Sequence, residues 1–209
     1  ISIARLDQAV SRILRVKIRA GLFEAGLPST RKYAGRFELL GAAEHKEIAR
    51  RAVRQSLVLV KNDKQLLPVS PSANILVAGD GADNLGKQTG GWTLSWQGKG
   101  NTREHFPGAM SIFDGINQQV RAAGGSATLS VNGDYKEKPD VAVVVFGEDP
   151  YAEFQGDRPH LDFQSEDGLK LLNKFKSQGI PVVAVFLSGR PMWVNPEINA
   201  ADAFVAAWL

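Results

Sequence analysis

The chain has 209 residues, 44% hydrophobic and 22% charged, an ordinary globular composition for one sizeable domain or for a domain with part of another. Its net charge of +3 arises largely near the start, where helix faces account for it, and no basic stripe interleaved with aromatics argues for nucleic acid. The absence of cysteine excludes disulfides and thiolate zinc sites, the three histidines (His45, His105, His160) have no metal-ligand spacing, and no run approaches the ~20 apolar residues that cross a bilayer.

From Ile3 to Ala20, the residues Ile3, Leu6, Val10, Ile13, Leu14 and Ile18 recur near helical spacing with Arg and Lys between them, which predicts an amphipathic helix ended by Gly21. Residues 23–41 carry Gly, Pro and Ser with no sustained period and read as an ordered linker, so the first helix is expected to belong to a different domain from the rest. A second helix is predicted from about Ala42 to Ser56, followed by a short buried strand at Leu57–Val60 and a turn at 61–64.

Asn74–Gly79 reads as another strand, running into Gly79–Asp80–Gly81–Ala82–Asp83–Asn84. That spacing matches neither the dinucleotide fingerprint nor the P-loop, so the glycines are expected to serve a tight turn rather than a phosphate. In Thr89–Gly98, Trp92 and Trp96 stand four apart among Gly90, Gly91 and Gly98, which argues against a regular helix. Tryptophan packs by default, so packing is expected of at least one of the two. A flat indole in a glycine-rich loop also suits the C–H face of a sugar ring, with its N–H free for a polar partner.

Ala109–Ala122 is helical in pattern and stopped by Gly124–Gly125; Ala127–Val131 is a strand, and Asp140–Phe146 is an unbroken apolar run of the kind buried on both faces of a parallel sheet. Ser165–Gln178 reads as a helix with Ser165 as N-cap, and Pro181–Leu187 and Ala203–Trp208 as strands. Strands alternating with helices predict an α/β fold, a mostly parallel sheet with helices on both faces. The chain starts inside a helix without Met and stops at a strand, so both ends are expected to be those of a fragment.

The loops at Gly79–Gly98, Gly147–Asp157 and Ser188–Pro191 would then gather on one sheet edge, where open α/β sheets take their ligands. In Gly147–Asp157, four carboxylates (Glu148, Asp149, Glu153, Asp157) fall among Pro150, Tyr151, Phe154 and two glycines. They are solvated loop acids or the acids of a site. Aromatic rings that exclude water favour the protonated form a catalytic acid requires. Composition and spacing leave open which carboxylate that is.

Six segments together resemble glycoside hydrolase family 3, above all its exo-β-glucanases and β-glucosidases: KIRAGLFE at 17–24, SLVLVKND at 56–63, GADNLGKQTGGWTLSWQG at 81–98, GEDPYAEFQGD at 147–157, SGRP at 188–191 and AAWL at 206–209. The resemblance implies the last helix of a (β/α)8-type barrel at 1–22, an interdomain linker at 23–41, and a six-stranded α/β sandwich domain, truncated, at 42–209. It implies hydrolysis of β-linked glucosides with retention, releasing glucose from non-reducing ends, with the nucleophile on the missing barrel and this chain inactive alone. Glu153, in PYAE, falls at the family's acid/base position. Trp96 matches the tryptophan that walls the +1 subsite, Trp92 is assigned to packing beside it, and Tyr151 is placed with Trp96 among substrate-binding residues. The implied partners are β-glucosides or β-glucan oligosaccharides and the barrel of the same enzyme, with no cofactor, metal, nucleic acid or membrane. The implied location is periplasmic or secreted. The rival expectations are a non-catalytic carbohydrate-binding or interaction module, a β-xylosidase or, less in keeping with the acidic loop, an N-acetylglucosaminidase within the family, and a flavodoxin-like nucleotide binder, which lacks a phosphate loop.

Overall fold

The computed structural model describes residues 1–208; Leu209, the last of the AAWL segment, lies outside them. Two compact units divide it, Ile1–Val53 and one beginning at Arg54.

In the first unit, α1 spans Ile3–Arg19 and is capped by Ser2, whose side chain accepts from the Arg5 amide. It ends as the glycine signal predicts. Gly21 at φ 63° donates to the Ile18 carbonyl and Leu22 to that of Lys17, the paired bonds of a Schellman cap. Leu6, Ile13 and Ile18 are exposed along it. Short 3-10 turns follow at Pro28–Thr30 and Phe37–Leu39, and α2 runs Ala43–Ser56.

The second unit is built on a six-stranded sheet of β1 (Val58–Asn62), β2 (Asn74–Ala78), β3 (Ser126–Leu129), β4 (Val141–Gly147), β5 (Val182–Ser188) and β6 (Ala203–Trp208), in the order β1-β6-β5-β4-β2-β3. All neighbours are parallel except β1 with β6. The wholly buried β4 explains the unbroken apolar run: Ala142, Val144 and Phe146 face one side, and Val141, Val143 and Val145 the other. On the first side lie α5 (Asp167–Ser177), through Leu172 and Phe175, and α6 (Asn195–Ala200). Phe146, Phe186 and Phe204 stack in sequence across that face, with ring centroids 5.5 and 6.2 Å apart. On the second side α4 (Ile112–Ala122) presents Ile112, Phe113, Ile116 and Val120, its start fixed by a Ser111–Asp114 capping box. Burying each such large apolar side chain stabilises the fold by about 1.5–3 kcal/mol.

Three expectations need correction. Leu57–Val60 is not buried: β1 is an edge strand, paired only with β6 among the described strands, and Val58, Leu59 and Val60 are exposed. A four-residue apolar run reads the same at an edge as in a centre, because pairing, not composition, decides which it is. Ser165 is not the cap of α5; that position is Glu166, without a side-chain bond. Two short helices, α3 (Leu85–Thr89) and α6, lie where none was expected.

The chain visits β3 on one side of β2 and then crosses to β4 on the other, so the sheet order reverses between β2 and β4. The carboxyl ends of these two strands therefore mark the switch point at which doubly wound sheets take their ligands.

Candidate active site

The β2–α3 turn sits directly on β4. Gly79, at φ 92°, has no room for a side chain, because a Cβ there would fall 2.1 Å from the Val145 carbonyl oxygen. The turn delivers Asn84, whose side chain accepts from the Lys87 amide and starts α3. Lys87 is only 5% exposed. Its ammonium donates to the Gly147 carbonyl at 3.1 Å and reaches Asp80 at 2.9 Å and Asp149 at 2.8 Å. Burial alone would push Lys87 down; the hydrogen bonds and charges of Asp149 and Asp80 outweigh it and hold the group above the usual lysine range. Lys87 therefore ties the loop after β2 to the end of β4.

Glu148, at 7% exposure, is the buried acid of the loop after β4. Its Oε1 accepts from Arg190 Nη2 at 2.7 Å and Nε at 3.2 Å, and its Oε2 lies 2.8 Å from Ser188 Oγ and 3.2 Å from the Tyr151 hydroxyl. Such a carboxylate is fully engaged within the protein. Arg190 also donates through Nη1 to the Gly156 carbonyl, and its guanidinium sits 4.4 Å above the Tyr151 ring. Burial first, and then the Glu148 charge, push the Tyr151 phenol above its ordinary value.

Glu153 has a different environment. It is exposed, and its Oε2 accepts from the Trp96 indole N–H at 2.7 Å, while its Oε1 has no hydrogen-bond partner among the described residues. The Gln97 side chain holds the backbone beneath it, accepting from the Ala152 amide at 2.8 Å and donating to the Glu153 carbonyl at 3.1 Å. Gly91 lets the tryptophan loop approach this far, because a Cβ there would lie 1.8 Å from the Tyr151 carbonyl oxygen. Trp92, Leu94 and Phe154 adopt positive φ of 62°, 59° and 69°. For residues with a Cβ this costs on the order of 1–3 kcal/mol each and marks segments held by their surroundings.

The expected site residues therefore separate. Trp96 and Glu153 meet. Tyr151 is engaged with Glu148 and Arg190 rather than with Glu153, and Phe154, 73% exposed, packs edge-on against Trp96 at 5.8 Å. The aromatic group on the Glu153 carboxylate is thus Trp96, as a donor, and not a shield of Tyr151 and Phe154. Trp92, assigned to packing, is 66% exposed with its ring 6.2 Å from Trp96. A cleft of about 480 Å³ beside the loop is lined by Lys87, Asp149, Tyr151, Gln155, Arg158 and Arg190, and not by Glu153. Among the described residues, no group of three or more His, Asp or Glu side chains is placed to hold a metal, and no helix is long and apolar enough to cross a membrane. Lys87, Gln97 and Arg190 lay inside quoted motifs without a role, and the signal that assigns them one is their reach between loops.

The model of the glycosyl hydrolase family 3 C-terminal domain matches residues 57–209. The chain belongs to glycoside hydrolase family 3. Its fold superposes with a TM-score of 0.94 on the exo-1,3/1,4-β-glucanase of a Pseudoalteromonas species, at 55% identity, covering 100% of this chain and 26% of that one. The lysosomal β-glucosidase of Dictyostelium discoideum is 29% identical over 97% of this chain and 26% of its own length. A β-xylosidase of Formosa agariphila is 27% identical over 97% of this chain and 29% of its own. The chain thus spans between a quarter and a third of the length of these relatives.

Proposed function

We propose that this chain supplies the general acid/base and one wall of the sugar site in a retaining, exo-acting β-glucosidase or β-glucan glucohydrolase that releases glucose from non-reducing ends. The observation that carries this reading is the bond from Trp96 to Glu153, which places a flat stacking surface and a carboxyl side by side on the sheet edge. Glu153 protonates the glycosidic oxygen as the bond to the anomeric carbon breaks and a carboxylate from the enzyme's barrel domain forms a new one. As a carboxylate, Glu153 then takes a proton from the water that displaces the sugar. The two carboxyls must come within about 5–5.5 Å, and Glu153 Oε1 is available for that work. Trp96 stacks on the +1 sugar. Support for a barrel partner comes from the quarter of the length that the chain covers in the relatives. In this reading the isolated chain is inactive.

A β-xylosidase is the second reading, favoured by the similarity to the Formosa protein. A periplasmic or secreted location belongs with either, and its support is the name of a periplasmic β-glucosidase of Salmonella typhimurium, 24% identical over 100% of this chain and 31% of its own length. The test is product analysis with the full-length protein on laminari- and cello-oligosaccharides, aryl β-glucosides and aryl β-xylosides. Stepwise glucose release supports the first reading, xylose release the second, and no hydrolysis of any of them a carbohydrate-binding module.

A further inference from the structure

We propose that the Glu148–Arg190 ion pair is a clamp that positions the acid/base loop, so that Arg190, Glu148 and Tyr151 act on the reaction through Glu153 without touching the substrate. This inference rests on the assignment of Glu153 as acid/base. Glu153 sits in a loop that leaves β4 at Gly147, and the clamp grips that loop at three points. Glu148 anchors its start, with Oε1 on Arg190 and Oε2 on Ser188 and Tyr151. Tyr151 is held at the middle twice, by its hydroxyl on Glu148 and by its ring under the guanidinium at 4.4 Å. Gly156 closes the far end, its carbonyl accepting from Arg190 Nη1.

All three grips converge on one guanidinium at the end of β5, itself fixed by the Arg190 amide donating to Ser188 Oγ at 3.1 Å. Residues 149–155 are thereby spanned as a loop with both ends on the same side chain, and Glu153 projects from it towards Trp96. A planar fork with fixed donor directions binds Glu148 through two nitrogens, Gly156 through the third and the Tyr151 ring through its face, whereas a lysine ammonium has neither the bidentate fork nor the plane to stack. Burial adds to the rigidity, because Glu148 and Arg190 side chains are 5% and 20% exposed and water competes little for their bonds. Tyr151 and Arg190 line a cleft that Glu153 does not, so the clamp and the Glu153 carboxyl have separate surroundings.

The experiment compares Arg190→Lys, Tyr151→Phe and Glu153→Gln with wild type in the full-length protein, measuring kcat/KM, which reports the first, acid-assisted step, on laminaribiose and on 2,4-dinitrophenyl β-glucoside, with thermal unfolding recorded for each. The dinitrophenolate leaves without a proton, so a misplaced acid harms its departure little. Misplacing a reacting group by about 1 Å costs on the order of 100-fold. Arg190→Lys is therefore expected to lower kcat/KM on laminaribiose by about 10- to 100-fold, with a much smaller loss of kcat/KM on the aryl substrate. Tyr151→Phe deletes one donor to Glu148, keeps the ring, and is expected to give the same split to a lesser degree; it decides the matter if Arg190→Lys does not fold. Equal losses of kcat/KM on both substrates, or no loss on either, overturn the clamp. A split in Glu153→Gln without one in the clamp variants also overturns it, while no split in Glu153→Gln overturns the acid/base assignment instead.

Discussion

Trp96 and Glu153 stand 57 positions apart in the chain and meet through one hydrogen bond, from Nε1 to Oε2 at 2.7 Å. The bond joins the indole proposed to stack on the sugar to the carboxyl proposed as the acid. It also separates the two functions of the indole, since a phenyl ring stacks but does not donate. Hydrogen bonds to a charged group contribute about 1.5–3 kcal/mol. Trp96→Phe is therefore expected to lower kcat on unactivated oligosaccharides by about 10- to 100-fold, while stacking keeps the change in KM smaller. A loss confined to KM in steady-state kinetics would show that the ring alone matters.

Gly91 and Gln97 make the meeting geometry possible. Gly91→Ala puts a methyl where the Tyr151 carbonyl lies, 1.8 Å away, and must drive the tryptophan loop off the acidic loop. The expected cost is about 1–3 kcal/mol of stability, as for other overpacked sites. Urea unfolding measures that cost, and activity on oligosaccharides is expected to fall with it. Gln97→Ala removes two bonds to residues 152 and 153 and is expected to cost about 1 kcal/mol for each.

Lys87 gives a pH dependence with a definite sign. Its folded value lies above the ordinary 10.5, because Asp149 and Asp80 outweigh the effect of burial. A raised value means that the folded state holds its proton more tightly than the unfolded chain. The resulting stability is complete below the ordinary value and is lost as pH rises through the folded one. Lys87→Met is expected to be less stable at pH 7, and the gap to wild type is expected to close in unfolding curves taken above pH 10.5. Tyr151, also raised, titrates in both proteins and drops out of the difference.

Glu197, in the first turn of α6, has the opposite consequence for substitution. It is buried, which raises its value above 4.5 against the smaller pull of its own backbone amide. The folded state then disfavours the charge, and stability is lost as pH rises through the raised value. Glu197→Gln retains an acceptor without the charge. It is expected to raise the melting temperature at pH 7, with the gain vanishing below pH 4.5.

The inner strands β2, β4 and β5 were legible because they are buried on both faces and read as unbroken apolar runs such as VAVVVF, whereas β1, at the edge, was misplaced in the core. The helices α3 and α6 were not legible, since five and six residues are too few to display a helical period. Within the site, GEDPYAEFQGD offers four carboxylates with nothing local to tell them apart. Their differences come from partners far along the chain: Arg190, 42 positions away, buries Glu148, Lys87 holds Asp149, and Trp96 takes Glu153. Family resemblance selected Glu153, and the structure adds what the segment could not show, that Glu148 is already fully engaged. The exposure of Trp92 was hidden for a similar reason, because an indole reads the same in a core as on an edge.

The most direct test of the central assignment is azide rescue of Glu153→Ala in the full-length protein with 2,4-dinitrophenyl β-glucoside. General acid/base assistance contributes about 10²- to 10⁴-fold, and the good leaving group spares the first step, so the variant is expected to stall at the glucosyl-enzyme. Azide needs no base to attack that intermediate. Glu153 as acid/base predicts restored turnover and β-glucosyl azide as product, identified by its anomeric proton coupling. Turnover of oligosaccharides at the wild-type rate by Glu153→Ala, or an impaired variant that azide leaves unchanged, would contradict the assignment.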